Sequence, residues 1–246
     1  MQPIYSQTFT LTDMDVDRFC KMKLSTLLYY AQEVAGKHSA LLGADYDALA
    51  QKGLFWAVSR HKVQISRLPL LGETITVETW PMPTTKVAFP RSVVAYDEQG
   101  NEVFRAISIW VLMDSRSRAM ILPGKSGVLV EGALRGNELS VPRAILPAVL
   151  QKQQTRTVRY TDLDINGHMN NCRYPDWVLD LLPAAFHGQH EARELTLCYM
   201  SEVRENEEVA LHWDLSEDGV LTVEAVRNGD QMPTAHSRVF SARVEF

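Results

Sequence analysis

The sequence predicts an α+β fold in which a helix followed by an antiparallel sheet occurs twice along 246 residues. The main evidence is a set of internal matches that keep their order along the chain. Thr-Asp-Met-Asp-Val at 12–16 returns as Thr-Asp-Leu-Asp-Ile at 161–165, which pairs Asp15 with Asp164. Two further matches follow in the same order: GETITVETW (72–80) with EEVALHWDL (207–215), and EQGNE (98–102) with RNGDQ (227–231). We interpret the second copy as a shortened version of the first.

The first copy is predicted to begin with a strand at 4–12 and an amphipathic helix from Leu24 to Leu42, which Gly43 ends. A turn containing Gly100 is expected to join the last two strands of this copy. Runs rich in β-branched and aromatic residues predict its other strands at 54–65, 73–80, 90–97 and 102–114.

Several Gly and Pro residues and the lack of a long periodic run predict a linker over 124–155, with a short helix near 143–150. The linker separates an N-terminal domain, 1–123, from a C-terminal domain, 156–246.

The second copy is predicted to contain a helix over 171–182, capped by Asn171 and with Pro175 in its first turn. Its strands are expected at 156–163, 194–203, 208–216, 219–227 and 232–246.

Composition and charge exclude several classes of protein. The net charge of −5 argues against a nucleic-acid binder that depends on overall basic charge. Apolar runs are too short to span a bilayer, and the first residues lack the pattern of a secretory signal. The three cysteines lie far apart, which argues against a disulfide framework or a zinc knuckle. We therefore expect a cytoplasmic protein without a cofactor.

Candidate catalytic residues concentrate in DLDINGHMNNCRYPDW, residues 162–177. In an extended chain alternate side chains share a face, so Asp164, Asn166 and His168 are expected to converge near a helix N-terminus. The free N–H groups of such a terminus stabilise a developing oxyanion. An alternative is that Asp164 and Asn166 only form turn and cap hydrogen bonds.

The repeat favours the chemical interpretation. At the matched positions of the first copy, Asp15 is kept, Asp17 stands in place of Asn166, and Phe19 stands in place of His168. The turn is therefore expected not to need the amide or the imidazole.

Glu202, on the predicted strand 195–203, is a second candidate carboxylate. Its match in the first copy is Arg67. The alternative is a solvated charge at the end of a strand.

Together, DLDINGHMNNCRY and LTLCYMSE resemble the plant and bacterial acyl-acyl-carrier-protein thioesterases, and the stretches 27–43, 53–81 and 106–123 resemble the same family. The resemblance implies a double hotdog fold, in which each half is a long helix wrapped by an antiparallel sheet. It also implies hydrolysis of an acyl thioester on phosphopantetheine, with release of a free fatty acid. The catalytic positions that it implies are Asp164, Asn166, His168 and Glu202.

On this basis Glu202 is expected to act as general base on a water molecule, with Asn166 and His168 holding the water or the thioester oxygen and Asp164 orienting them. Whether Glu202 or His168 takes the proton stays open, as does a covalent acyl-Glu intermediate. Plant members carry a Cys directly after the Glu, where this chain has Val203, so a thiol nucleophile is not favoured.

The acyl chain is expected in the N-terminal domain, between its helix and its sheet, lined by Tyr29, Tyr30 and Trp56. The expected partner is an acidic acyl carrier protein, and a homodimer is left open. Candidate docking residues are Arg156, Arg159, Arg173, Arg193 and Arg204.

Four alternatives remain at this stage: an acyl-CoA thioesterase, a hydroxyacyl dehydratase on the same scaffold, a non-catalytic acyl-binding protein, and a minor metal site at Asp162, Asp164 and His168.

Overall fold

A computed structural model describes residues 3–227 and 237–246. The chain forms two compact units, Met1–Pro142 and Arg143–Phe246. The division falls inside the segment 124–155.

The first unit contains a five-stranded antiparallel sheet, a long helix and short accessory elements. The strand order is β1-β3-β4-β5-β2, with β6 paired to β5. The elements are β1 (Tyr5–Thr10), α1 (Leu24–Leu41), α2 (Tyr46–Ala50), β2 (Leu54–Ile65), β3 (Thr74–Pro81), β4 (Phe89–Tyr96), β5 (Glu102–Asp114), β6 (Met120–Ile121) and α3 (Pro123–Ser126).

The helix α1 packs against β1 and β3 because its apolar residues recur on one face. Leu27 and Val34 on this face are buried, as are Ile75 and Trp80 on β3. Burial of each such side chain stabilises the unit by roughly 1.5–3 kcal/mol. The predicted turn is confirmed, since Gly100 has a φ of 81° and precedes β5.

The second unit repeats this topology. Its strand order is β7-β9-β10-β11-β8, which corresponds strand for strand to the order in the first unit. The elements are β7 (Lys152–Thr157), 3₁₀ turns at Tyr160–Asp162 and Asn171–Arg173, α4 (Tyr174–Leu179), α5 (Ala184–His187), β8 (Glu194–Tyr199), β9 (Glu208–Leu215), β10 (Val220–Arg227) and β11 (Arg238–Glu245).

The helix of the second unit is shorter than predicted. Residues 171–173 form a 3₁₀ turn and α4 has only six residues, although Pro175 does lie in its first turn. The cap is Asn170, whose Oδ1 accepts the Cys172 N–H at 2.9 Å, so the prediction of Asn171 was wrong.

Two other expectations need correction. Residues 143–150 have no regular secondary structure, because Pro147 lies in the middle of the segment and does not sustain a helix. The strand predicted at 156–163 ends at Thr157 and begins earlier, at Lys152. The predicted strand 232–246 and turn 227–231 fall partly outside the described residues. Within the described part of the chain, no helix is long and apolar enough to cross a membrane.

Candidate active site

The candidate motif forms a tight turn in the second unit. Asp164 N–H donates to the His168 carbonyl at 2.8 Å, and Gly167 N–H donates to the Asp164 carbonyl at 3.0 Å. Gly167 has a φ of 74°, a conformation that favours glycine. The predicted extended alternation was therefore wrong, because the chain reverses here and leaves Ile165 90% exposed.

The Asp164 carboxylate holds this turn. Its Oδ1 accepts the backbone N–H groups of Asn166 at 2.8 Å and of His168 at 3.3 Å. Its Oδ2 lies 3.4 Å from Asn166 Nδ2. The turn-building interpretation thus applies to Asp164, whose carboxylate also orients the exposed Asn166 side chain.

The segment after β8 brings Glu202 to this turn. Met169 N–H donates to the Val203 carbonyl at 2.8 Å, and His168 forms a backbone bridge with Arg204. Val203 is fully buried, which anchors the segment. These contacts join two regions that are more than thirty residues apart in the sequence.

His168 and Glu202 meet directly. His168 Nε2 lies 3.3 Å from Glu202 Oε2, and the two side chains are 13% and 42% exposed. An imidazole that is mostly covered therefore contacts a carboxylate that reaches solvent. This arrangement suits proton transfer to and from a water molecule at the surface of the pair.

The expected oxyanion site at a helix N-terminus is not available as predicted. The N–H groups of Asn170, Cys172 and Arg173 all donate to protein acceptors: the Asp162 carbonyl, Asn170 Oδ1 and the Asn170 carbonyl. Asn166 lies two residues before His168 in the same turn. Its side-chain amide is an exposed donor that a ligand can reach.

The residues around the turn are buried and aromatic. Tyr174 is buried, burial raises its pKa, and its ring meets that of Tyr199 edge to face at 5.2 Å. Tyr199 donates its hydroxyl to the Asn171 carbonyl at 3.0 Å. Burial also raises the pKa of Cys172 to about 12, so its thiol stays protonated at neutral pH and is a poor nucleophile.

The minor metal-site alternative gains no support. Asp162 Oδ2 accepts the Arg159 N–H at 2.9 Å, and Asp162 Oδ1 lies 3.7 Å from Arg173 Nε. Across residues 3–227 and 237–246, no group of three or more potential ligands is arranged to hold a metal ion.

The first unit contains the same turn with different side chains. Asp17 N–H donates to the Lys21 carbonyl at 2.8 Å, and Asp17 Oδ1 accepts the N–H groups of Phe19 at 2.8 Å and of Lys21 at 3.0 Å. Cys20 has a φ of 60° at the position of Gly167. Asp17 therefore corresponds to Asp164, and the predicted match with Asp15 was two residues out of register.

With this register, Phe19 corresponds to Asn166 and Lys21 to His168. The N–H groups of Ser66 and Arg67 both reach the Val103 carbonyl, as those of Met200 and Ser201 reach the Val239 carbonyl. Glu202 therefore corresponds to Leu68 rather than to Arg67. Three of the four predicted site positions carry other side chains in the first unit, so those three are dispensable for building the scaffold.

A cavity of about 360 Å³ lies between α1 and the sheet of the first unit. Trp56 lines it as predicted, whereas Tyr29 is 54% exposed and Tyr30 stacks on Phe9 with ring centroids 4.0 Å apart. The lining is mostly apolar and comprises Gln32, Ala35, Gly36, Ser39, Leu42, Ala44, Asp45, Tyr46, Trp56, Pro81, Phe89, Pro90, Arg91, Trp110 and Val130.

Sequence reasoning missed Arg91 in this wall. Its guanidinium is buried and contacts His38 Nδ1 at 3.1 Å, Thr79 Oγ1 at 3.3 Å and Ser39 Oγ at 3.4 Å. Burial lowers its pKa to about 10, which leaves it charged at neutral pH. In the sequence, Arg91 is the one charged residue in the mostly apolar run 89–95. The alternation of side chains along a strand does not show that such a residue lines a cavity.

Comparisons with known proteins agree with this architecture. The family model for the acyl-ACP thioesterase N-terminal domain matches residues 2–122, and the model for the C-terminal domain matches 149–241. A chloroplastic palmitoyl-acyl carrier protein thioesterase of Gossypium hirsutum is 28% identical over 214 residues, covering 81% of this chain and 52% of the relative. The chain thus spans about half the length of the curated relatives that it matches.

Two solved structures share the fold. An acyl-ACP thioesterase from Bacteroides thetaiotaomicron has a TM-score of 0.87 at 24% identity, covering 99% of this chain and 98% of the other. The 12:0-ACP thioesterase from Umbellularia californica has a TM-score of 0.83 at 23% identity, covering 100% and 97%. The α+β fold is the double hotdog, with a long helix in the first unit and a short one in the second. Because two family models together match most of its length, the chain belongs to the acyl-ACP thioesterase family.

Proposed function

We propose that the protein hydrolyses the thioester of an acyl-acyl carrier protein and releases a free fatty acid. The observation that carries the proposal is the contact between His168 on the turn and Glu202 after β8, which lie 3.3 Å apart. The first unit repeats this local structure without either residue. The names of the relatives, palmitoyl-acyl carrier protein thioesterase and 12:0-ACP thioesterase, support the substrate class.

In this mechanism Glu202 is the general base. Its carboxylate is the more exposed member of the pair, so it meets the attacking water, while the covered imidazole of His168 fixes it in place. The water oxygen bonds to the thioester carbon as its proton passes to Glu202, giving a tetrahedral oxyanion. The C–S bond then breaks, and the departing phosphopantetheine sulfur takes up the proton. General base catalysis of this kind contributes about 10²–10⁴-fold.

Asn166 is the proposed donor to the oxyanion. Its side chain is exposed two residues before His168, and the contact that its Nδ2 makes with Asp164 within the described part of the chain is long, at 3.4 Å. A thioester oxygen competes readily with a contact of this length. Asp164 holds the amide in this direction and does not itself touch the substrate.

We assign the acyl chain to the cavity of the first unit. Its volume of about 360 Å³ falls within the range of small-ligand pockets, and its wall is mainly apolar. A flexible alkyl chain gains about 0.8 kcal/mol for each methylene group that it buries in such a space.

The proposed partner is an acyl carrier protein, which docks through Arg159 and Arg204. Both are exposed, and neither makes an ion pair with another described residue. Arg204 forms the backbone bridge to His168, which places this charge beside the site. Tyr160 and Ile165, 79% and 90% exposed, add apolar surface next to them.

Two of the three other candidate arginines are less suited to docking. Arg156 pairs with Asp180 at 2.8 Å, and Arg173 pairs with Asp176 at 3.1 Å. Their charges are already matched within the protein.

The test compares acyl carrier protein and CoA thioesters of one chain length as substrates of the purified protein, with free fatty acid measured by mass spectrometry. We expect release of fatty acid and a higher kcat/KM for the carrier-protein thioester. A higher kcat/KM for the CoA thioester would refute the partner. Binding without release of fatty acid, or loss of water from a 3-hydroxyacyl thioester to give an enoyl product, would refute the hydrolase itself.

A further inference from the structure

The backbone that carries Glu202 is held by residues outside the motif. Glu202 follows β8 and lies in no strand, and its side chain is 42% exposed. Besides the contact with His168, the direction of this side chain depends on how its peptide group is fixed. The N–H groups of Met200 and Ser201 are tied to the Val239 carbonyl, and the Val203 carbonyl is tied to Met169.

Arg227, the last residue of β10, holds the peptide between these two attachments. Its Nη2 donates to the main-chain carbonyl of Glu202, and its Nη1 donates to Ser201 Oγ at 3.2 Å. Its Nε lies 3.7 Å from Glu207 Oε1, and Glu207 Oε2 accepts the Arg204 N–H at 2.8 Å. One guanidinium and one carboxylate thus fix the residues on both sides of Val203.

The first unit contains the same cluster with its charges rearranged. The strand registers place Arg67 at the position of Ser201, Glu73 at that of Glu207, and Asp97 at that of Arg227. There Arg67 reaches Glu73 at 2.8 Å and Asp97 at 3.2 Å.

Either arrangement ties the strand ends together. Only in the second unit does the arginine come from the neighbouring strand, where it donates to the carbonyl of the proposed base. The unit with the rearranged arginine is also the unit that has Glu202 where the other has Leu68. A purely structural role of the arginine would not require these two differences to occur together.

We propose that Arg227 is a positioning residue that orients Glu202 toward His168 through the Glu202 carbonyl group. The inference rests on the proposed thioesterase function. Hydrogen bonds from a charged donor are roughly twice as strong as neutral ones, so the contact restrains the peptide plane from which the base projects. A misplacement of about 1 Å at a catalytic group costs up to about 10²-fold in rate.

The test uses Arg227→Gln, Arg227→Lys and the matched control Arg67→Gln, assayed with acyl carrier protein thioesters for kcat and KM and by thermal unfolding. We expect Arg227→Gln to lower kcat by at least about tenfold with KM nearly unchanged, because the interaction acts on the reacting group and not on binding. Arg227→Lys keeps the positive charge on a single ammonium group. Its kcat should therefore lie between that of the wild-type protein and that of Arg227→Gln. Arg67→Gln should lose comparable thermal stability but keep its kcat.

The proposal is overturned if Arg227→Gln keeps the wild-type kcat, or if Arg67→Gln loses as much kcat as Arg227→Gln. If the glutamine variant does not fold, Arg227→Lys decides, and wild-type kcat in that variant overturns the proposal. Failure of the thioesterase function itself is a separate result, namely that the wild-type protein releases no fatty acid.

Discussion

Substituting Gly36 tests where the acyl chain binds. Gly36 lies within α1, in the wall of the cavity, and a Cβ atom added there meets no heavy atom within 4 Å. The Cβ atom of a leucine at this exposed position therefore meets open space. Gly36→Leu should shorten the acyl chain that the enzyme accepts.

The size of the effect follows from the space taken. A leucine side chain occupies the place of about three to four methylene groups, and each methylene that loses its buried position costs about 0.8 kcal/mol. The loss for the longest accommodated chain is about 2.4–3.2 kcal/mol, or about 50–200-fold in kcat/KM. Shorter chains that do not reach position 36 should be hydrolysed at the wild-type rate.

The assay is a competition among saturated acyl carrier protein thioesters of graded length, with the released fatty acids quantified by mass spectrometry. Gly36→Ala is the matched control. It adds one methyl group, should leave the chain-length profile nearly unchanged, and should raise helix stability by up to about 1 kcal/mol because alanine is the better helix former.

An unchanged chain-length profile in a folded Gly36→Leu protein would refute the assignment of the cavity. A uniform loss of activity at all lengths would also refute it, because a blocked slot discriminates by length and a damaged fold does not.

Three further predictions concern the catalytic chemistry. Glu202→Gln should lower turnover by about 10²–10⁴-fold and change the free energy of unfolding by less than about 0.5 kcal/mol. Single-turnover kinetics and thermal unfolding measure the two effects. Wild-type turnover in this variant would remove Glu202 from the mechanism. His168→Ala and Asn166→Ala should each lower turnover at least about tenfold. The fold should be retained, since Lys21 and Phe19 occupy the same turn positions in the first unit. Wild-type turnover in both variants would refute the catalytic roles of His168 and Asn166. A variant with all cysteines changed to serine or alanine should keep most of its activity in the same assay, whereas inactivation of a folded Cys198→Ala protein would restore a thiol mechanism. The cysteines are Cys20, Cys172 and Cys198.

Local pattern was sufficient to predict the long helix and the five main strands of the first unit, but not α2, β6 and α3. The strands at 54–65 and 102–114 match the predicted limits because β-branched runs there end at turn residues. The helix of the second unit was predicted too long for a physical reason. Leu181 and Leu182 are buried although they lie beyond the helix, so apolar periodicity continues into a packed turn.

The predicted register between the two copies was wrong because residue identity alone allowed two alignments. The first copy has aspartates at 13, 15 and 17, whereas the second has them at 162 and 164. Either pairing aligns two aspartates. The choice depends on which carboxylate accepts the backbone N–H groups of the turn, and this is a three-dimensional property.

The contact between His168 and Glu202 was expected from resemblance, but the residues that hold it could not be predicted. Arg227 donates to a backbone carbonyl 25 residues away, and Glu207 accepts a backbone N–H within its own turn. An arginine at a strand end has the same local pattern whether it is solvated or donates to a carbonyl. The cavity was likewise only partly predictable, since its wall combines residues from two helices, four strands and connecting segments.

Comparison of the two units separates scaffold from chemistry. Asp17 and Asp164 accept the same pair of backbone N–H groups, so this carboxylate builds the turn in both units. The candidate positions that differ between the units are not needed for the turn. His168 and Glu202 are in contact in the second unit, whereas Lys21 and Leu68 stand at their positions in the first and offer no imidazole and no carboxylate. The cavity lies within the first unit, beside its long helix, and the helix of the second unit has only six residues. One scaffold thus carries an apolar cavity in the first unit and a contact between an imidazole and a carboxylate in the second.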